Sequence, residues 1–257
     1  MTKSFSERLR AAGFAATIHL SGSALVAALA AILVFGLWYP FPYRDLAGGR
    51  ELFLLVISVD IVLGPILTLV LFNPSKMPRE LWRDLTIVVV VQLGGLGYGV
   101  WTVWQARPLF LVAEIDRFKV IARPALQDGS METLPRELQP SSFSGPITAA
   151  IREPKNSAEK DAVMFASIQG GRDYGERPDF YIPYEGAAAL KSLKRARSIE
   201  TYLQKYPLQR AAAQDFANKA GLNLESVKYL PVVARQEWIA MLDDNGKVVG
   251  FLKGDGF

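Results

Sequence analysis

Three apolar stretches within the first 106 residues are each as long as a helix must be to cross a lipid bilayer. Residues 11–43 contain no Asp, Glu, Lys or Arg, residues 52–72 contain one charge, Asp60, and residues 85–106 contain none. A hydrocarbon core of roughly 30 Å takes about 20 helical residues, so all three qualify as spans. From Arg107 onward charged, polar and short apolar runs alternate, and no window there is apolar enough to cross. The pattern predicts an integral membrane protein with a transmembrane three-helix domain over 1–106. An α+β extracytoplasmic domain with an antiparallel sheet is expected over 107–257.

Charge sets the expected orientation, because basic segments resist translocation. The N-terminal tail carries Lys3, Arg8 and Arg10, and the loop between the second and third stretches carries Lys76, Arg79 and Arg83. The loop between the first two stretches has only Arg44 and Arg50. The N-terminus is therefore expected inside and the C-terminal domain outside, in the periplasm of a Gram-negative bacterium. A cleaved signal peptide is the competing reading of the first stretch. Its apolar run is too long for one, and Ala28-Leu29-Ala30 is followed by more apolar sequence instead of a polar mature start.

The two expected domains hold 8 basic and 6 acidic residues, and 21 and 19, so neither is strongly basic. Nucleic acid is not an expected partner, since no dense basic stripe exists to hold phosphates. The absence of cysteine excludes disulfides, thiol redox work and a lipid anchor on cysteine.

Depth along the spans suggests which residues can meet. Trp38, Tyr39 and Tyr43 after the first stretch, and Trp101 and Trp104 near the end of the third, fit aromatic belts at the outer interface. Counting about 1.5 Å per residue from these markers puts Asp60 roughly 12 Å, Tyr98 roughly 9 Å and His19 roughly 28 Å below the outer boundary. Asp60 and Tyr98 are thus nearly level, whereas His19 belongs near the inner face. A carboxyl at this depth should face protein or water and be neutral, hydrogen-bonding Tyr98 or a backbone carbonyl, or touching a partner's helix. Proton or ion movement is a further use of such a group.

Pro65 lacks an N–H and frees the carbonyl of Ile61, and Gly64 beside it lets another backbone come close. Gln92 lies at nearly the depth of Gly64, so its amide is expected to satisfy the freed carbonyl. Gly94, Gly95, Gly97 and Gly99 include the Gly95-x-x-x-Gly99 spacing that allows tight helix packing, within the chain or with another one.

Beyond the spans, residues 109–115 and 118–121 read as strands, residues 122–161 as a surface excursion with little regular structure, and 163–168 as a strand ended by Gly170-Gly171. Residues 185–199 and 207–220 read as helices, and 229–234 and 238–242 as strands. Asp244-Asn245-Gly246 is a hairpin turn into 248–252. The only His of the chain is His19, so the domain has no His base and no His or Cys zinc site. No cofactor is expected. Ser157-x-x-Lys160 lies in the polar excursion, Asp243-Asp244 is explained by turn chemistry, and the basic run Lys191, Lys194, Arg195 and Arg197 reads as a solvated face.

Several of these strings together resemble the TfpX/TfpZ group of type IV pilin accessory proteins. They are Trp38-Tyr39-Pro40, Val59-Asp60-Ile-Val-Leu-Gly64-Pro65-Ile-Leu-Thr68, Gln92, Tyr98-Gly99, Gln105-Ala106-Arg107-Pro108 and Glu114-Ile-Asp116-Arg117-Phe118. A weaker match continues through Tyr229-Leu-Pro231, Trp238 and the final hairpin. The resemblance implies a non-enzymatic inner-membrane helper, chaperone-like, that acts on a cognate type IV pilin before or during pilus assembly. It implies partner contacts at Asp60, Gly64, Pro65, Gln92, Gly95, Tyr98 and Gly99, with residues 21–31 also supplying close packing. The outer domain would touch the pilin head, and His19 an acidic residue near the pilin's start. A homo-oligomer within the bilayer is a second expected association. Two other readings stay open: a membrane-anchored enzyme modifying pilin or envelope glycans through carboxylates such as Glu114 and Asp116, and a structural subunit of an envelope machine.

Overall fold

The computed structural model describes residues 5–126 and 130–257. Lys3, one of the charges used for orientation, and residues 127–129 of the excursion lie outside them. The elements run α1 (Phe5–Leu33), α2 (Tyr43–Leu46), α3 (Gly49–Leu71), α4 (Pro78–Gln105), β1 (Pro108–Ala113), β2 (Phe118–Ala122), β3 (Ile147–Ile151), α5 (Ser157–Ile168) and β4 (Tyr181–Pro183). They continue with α6 (Gly186–Leu193), β5 (Arg197–Ser198), α7 (Ile199–Lys205), α8 (Arg210–Lys219), β6 (Lys228–Val233), β7 (Trp238–Leu242) and β8 (Val248–Lys253). Two compact units result. One joins the chain up to Leu37 with Gly49–Gln105, the other joins Trp38–Gly48 with Ala106–Phe257.

In the helical unit three helices are long and apolar enough to cross a membrane: α1 with the π-helical turn that extends it to Trp38, α3 and α4. Both α1 and α4 pack on α3, which runs between them. Phe35 and Phe53 meet edge to face with centroids 5.0 Å apart, just past the end of α1 and near the start of α3. At the other end Arg8 donates to the Val70 carbonyl at 3.4 Å and Lys76 to the Leu71 carbonyl at 3.3 Å, so cations occupy the carbonyl end of α3, where the helix dipole is negative.

The second unit is built on one open sheet in the order β4-β3-β1-β2-β6-β7-β8, with β5 pairing the end of β6. Most neighbours are antiparallel, as expected, but β1–β3 and β2–β6 are parallel. All six residues of β1 are buried, because both faces of the sheet centre are covered. Leu109, Phe110 and Val112 pack with Leu126, Leu134 and Leu138 of the excursion, while Leu111 and Ala113 pack with Phe118 and Leu230. A further core seats Tyr202, Leu203, Ala213 and Ala217 of α7 and α8 on Tyr229, Ile239 and Met241.

The excursion is therefore more ordered than the sequence suggests, since it holds β3. The expected strand at 163–168 is a helix, α5. Asn156 caps it, its side-chain oxygen accepting from the Glu159 N–H at 2.9 Å, while the Glu159 carboxylate accepts from the Lys155 N–H. This is a variant of the capping box, Asn-x-x-Glu with the carboxylate bonding one residue before the cap, and it overrides the strand-like run of Val163 to Ile168. The helix expected over 185–199 stops at Leu193 and gives way to β5 and α7.

The loop between α1 and α3 departs most from expectation. Trp38, Tyr39, Tyr43 and Leu46 have relative exposures of 7%, 1%, 8% and 0%, so all three residues assigned to an aromatic belt after α1 are core residues of the second unit. Trp38 also donates its indole N–H to the Ser142 carbonyl at 2.8 Å. Tyr43 and Leu46 share a core with Trp238, Ala240 and Leu242, and the Gln236 N–H bonds the Leu46 carbonyl.

Candidate functional site

The helical unit leaves a cavity of about 510 Å³ where α1 and α4 diverge over α3. Residues of α3 spaced four apart, Asp60, Gly64 and Thr68, run down the side of that helix turned toward the other two. Such spacing keeps side chains on one face of a helix. Asp60 and Thr68 line the cavity, and Gly64 is buried between them. Position 64 has no space for a side chain, because a Cβ there would fall onto the Gln92 amide. Gln92 donates through Nε2 to the Asp60 carbonyl at 3.1 Å, one residue before the Ile61 carbonyl expected from the position of Pro65. Its Oε1 is buried and has no hydrogen-bond partner among the described residues.

From α1, His19 reaches the floor and shares a 2.6 Å hydrogen bond with the Thr68 hydroxyl, 49 residues away. Thr68 lies two turns below Asp60 on α3, in agreement with the depth count that puts His19 well below Asp60. His19 and Asp60 nevertheless line one cavity, together with Gly22, Ser23 and Val26 of α1. A Cβ at Gly22 would meet nothing within 4 Å, so the α1 wall is open there.

The remaining residues singled out from the sequence separate. Gly99 is buried against α3, where a Cβ would strike Val56, so this glycine makes the close approach of α4 to α3. Gly95 has open space instead, as do Gly94 and Gly97. Tyr98 is 70% exposed and stacks on Trp101 with centroids 5.8 Å apart, and no hydrogen bond joins it to Asp60 among the described residues. Being level along the membrane is not enough: Gln92 and Tyr98 are six residues apart on α4, far enough around the helix to face different ways. Gly22 and Ser23 fall within residues 21–31, expected to supply close packing, and Thr68 ends one of the quoted strings, but none of the three was singled out as lining a site with Asp60. A readable signal existed in the i, i+4, i+8 series of Asp60, Gly64 and Thr68.

In the second unit the candidate residues do not converge on one site among the described residues. Asp116 is held by Arg117 at 2.8 Å in the β1–β2 turn. Glu114 packs beside Gly175 with the Arg117 guanidinium 4.0 Å away, and burial pushes its carboxyl above the usual range. Ser157 and Lys160 are exposed on the first turn of α5. Asp243 accepts from the N–H groups of Asn245 and Lys247, as turn chemistry requires. Lys191 pairs with Glu153 at 2.7 Å and Arg197 donates to the Gly256 carbonyl. No group of three or more His, Asp or Glu among the described residues could hold a metal ion.

Residues 6–48 match the family model described as fimbrial assembly protein FimB, a stretch that ends with the loop embedded in the second unit. The chain is 32% identical to the fimbrial assembly protein of serogroup I of Dichelobacter nodosus, across 93% of this chain and 94% of that protein. It is 30% identical to the serogroup E1 protein of the same organism over the same shares. The fimbrial assembly protein of serogroups C1 and C2 is 39% identical over 41% of this chain and 81% of its own length. No solved structure matches the chain.

Proposed function

The chain belongs to the family of fimbrial assembly proteins, and from that membership we propose that it binds a cognate type IV pilin in the membrane and supports its stability or assembly. It is a non-enzymatic, membrane-embedded accessory protein of pilus assembly. The finer placement, beside the TfpX/TfpZ helpers, rests on the motifs around Asp60 and Glu114. In this reading residues 1–106 anchor the protein in a bacterial inner membrane with the N-terminus cytoplasmic, and residues 107–257 form a periplasmic domain. The spans hold the pilin's apolar helix and the outer domain touches its head. Asp60, Gly64, Pro65, Gln92, Gly95, Tyr98 and Gly99 are the proposed contact set, and a homo-oligomer would bring two such sets together.

One observation carries the proposal: the similarity to fimbrial assembly proteins runs through 93% of the chain, so it takes in spans and domain alike. A helper that works by binding requires both parts. Deleting the gene is expected to leave pilin mass unchanged while pili become fewer or pilin turns over faster. An altered pilin mass on deletion would overturn the helper reading. A reporter fused after Phe257 that is active only in the cytosol would overturn the orientation.

A further inference from the structure

We propose that the groove between α1 and α4 is a slot for one transmembrane helix of another chain, the fimbrial subunit. The slot is floored by Asp60, Thr68 and Gln92 and walled by Gly22, Ser23 and Leu93. The inference rests on the pilin-binding reading and moves its contact surface away from the glycine face of α4.

Polarity selects the occupant. The floor carries the Asp60 carboxyl and the His19 imidazole, in helices long and apolar enough to lie in lipid. An acyl chain has no donor to offer, and a carboxyl left without a polar partner is costly where water is absent. A helix satisfies its own backbone and can bring one hydroxyl or amide donor to the level of Asp60 on an otherwise apolar face. Length agrees. From Ile57 to Thr68 the floor runs about 16 Å, or about three helical turns, which matches a series of side chains at i, i+4, i+8 and i+11 on an incoming helix. Shape agrees as well, because the wall on α1 is lowest at Gly22, where nothing occupies the space a side chain would take. The outward glycines Gly94, Gly95 and Gly97 offer no such polar floor.

The test uses the full-length protein in cells that make the fimbrial subunit. A photocrosslinker replaces Leu93, which lines the groove, or Val91, which lies on the opposite face of the same helix. Further copies place it at the exposed Phe165 of the outer domain. The expected result is a subunit adduct from Leu93 and none from Val91. Gly22→Trp should abolish the Leu93 adduct at unchanged membrane abundance. Gly13→Trp, at an α1 glycine with equally open space outside the groove, should leave it intact. A subunit adduct from Val91 but not Leu93 would overturn the slot while leaving pilin binding standing. Capture of lipid alone or of a second copy at Leu93 would also overturn it. If no position, Phe165 included, captured the subunit, the pilin-binding reading would fail together with the slot.

Discussion

The two units of this protein hold themselves together by opposite means. In the sheet-bearing unit, aromatic and branched side chains disappear between sheet and helices, and water drives their burial. In the helical unit the large apolar side chains point outward, with Leu25, Leu55 and Val91 all more than 60% exposed. The helices instead touch through glycines at 64 and 99 and through the polar ties Gln92–Asp60 and His19–Thr68. Lipid is as apolar as leucine, so burying leucine between helices gains little. Close backbone approach and hydrogen bonds are what remain. The comparison teaches that a side chain's type predicts its location only after its solvent is known.

Six substitutions, arranged as four tests, probe that contrast, beginning with the largest effect. Leu46→Ala should cost about 2–5 kcal/mol, the usual range for a fully buried leucine, although position 46 lies in the loop between two spans. Denaturant unfolding of the purified protein, followed by tryptophan fluorescence, measures it, and a loss under about 0.5 kcal/mol, typical of surface positions, would return the loop to the membrane interface. Gly99→Val should cost about 1–3 kcal/mol by overpacking against Val56, whereas Gly95→Val should fold normally. Detergent-titrated unfolding of the pair separates a glycine that packs from one that does not.

Third comes Asn156→Ala, which removes the cap of α5 and should lower stability by about 1 kcal/mol, seen as faster amide exchange over 157–168. Its partner in the capping box carries a pH signature. The Arg152 guanidinium bonded to Glu159 holds that carboxyl down at about 2, below its unfolded value of 4.5. The folded state thus prefers the ionised form. The resulting stabilisation is complete above about 4.5 and is lost as pH falls toward 2, and Glu159→Gln should flatten that dependence. The smallest effect is Gln92→Met, which keeps the volume and removes the tie to the Asp60 carbonyl. About 0.6 kcal/mol is expected for one interhelical hydrogen bond in a membrane.

Where one physical cue acts alone, the sequence was readable. The three apolar runs became three helices, and Asp244-Asn245-Gly246 connects β7 to β8 as expected. Where two cues competed, the weaker-looking one prevailed. The apolar run at 163–168 reads as a strand until the Asn156-x-x-Glu159 box before it is counted. β3 was hidden because Ile147-Thr-Ala-Ala-Ile151 is short and lies among prolines and serines, and its register comes from the parallel neighbour β1, which no local pattern encodes. At the candidate site, relative position along the helices was readable and direction around them was not. Asp60 and Tyr98 were matched by level but lie on different faces, while the Gln92 tie missed its expected carbonyl by one residue.

Because Trp38–Gly48 folds with the sheet-bearing unit, the backbone crosses between the two units three times, after Leu37, before Gly49 and after Gln105. A cut after Gln105 would therefore not set the sheet-bearing unit free. The severed piece would stay gripped by the hydrophobic contacts of Tyr43 and Leu46 and by the indole of Trp38. Protease nicking there should yield two fragments that still migrate as one particle until denaturant is added.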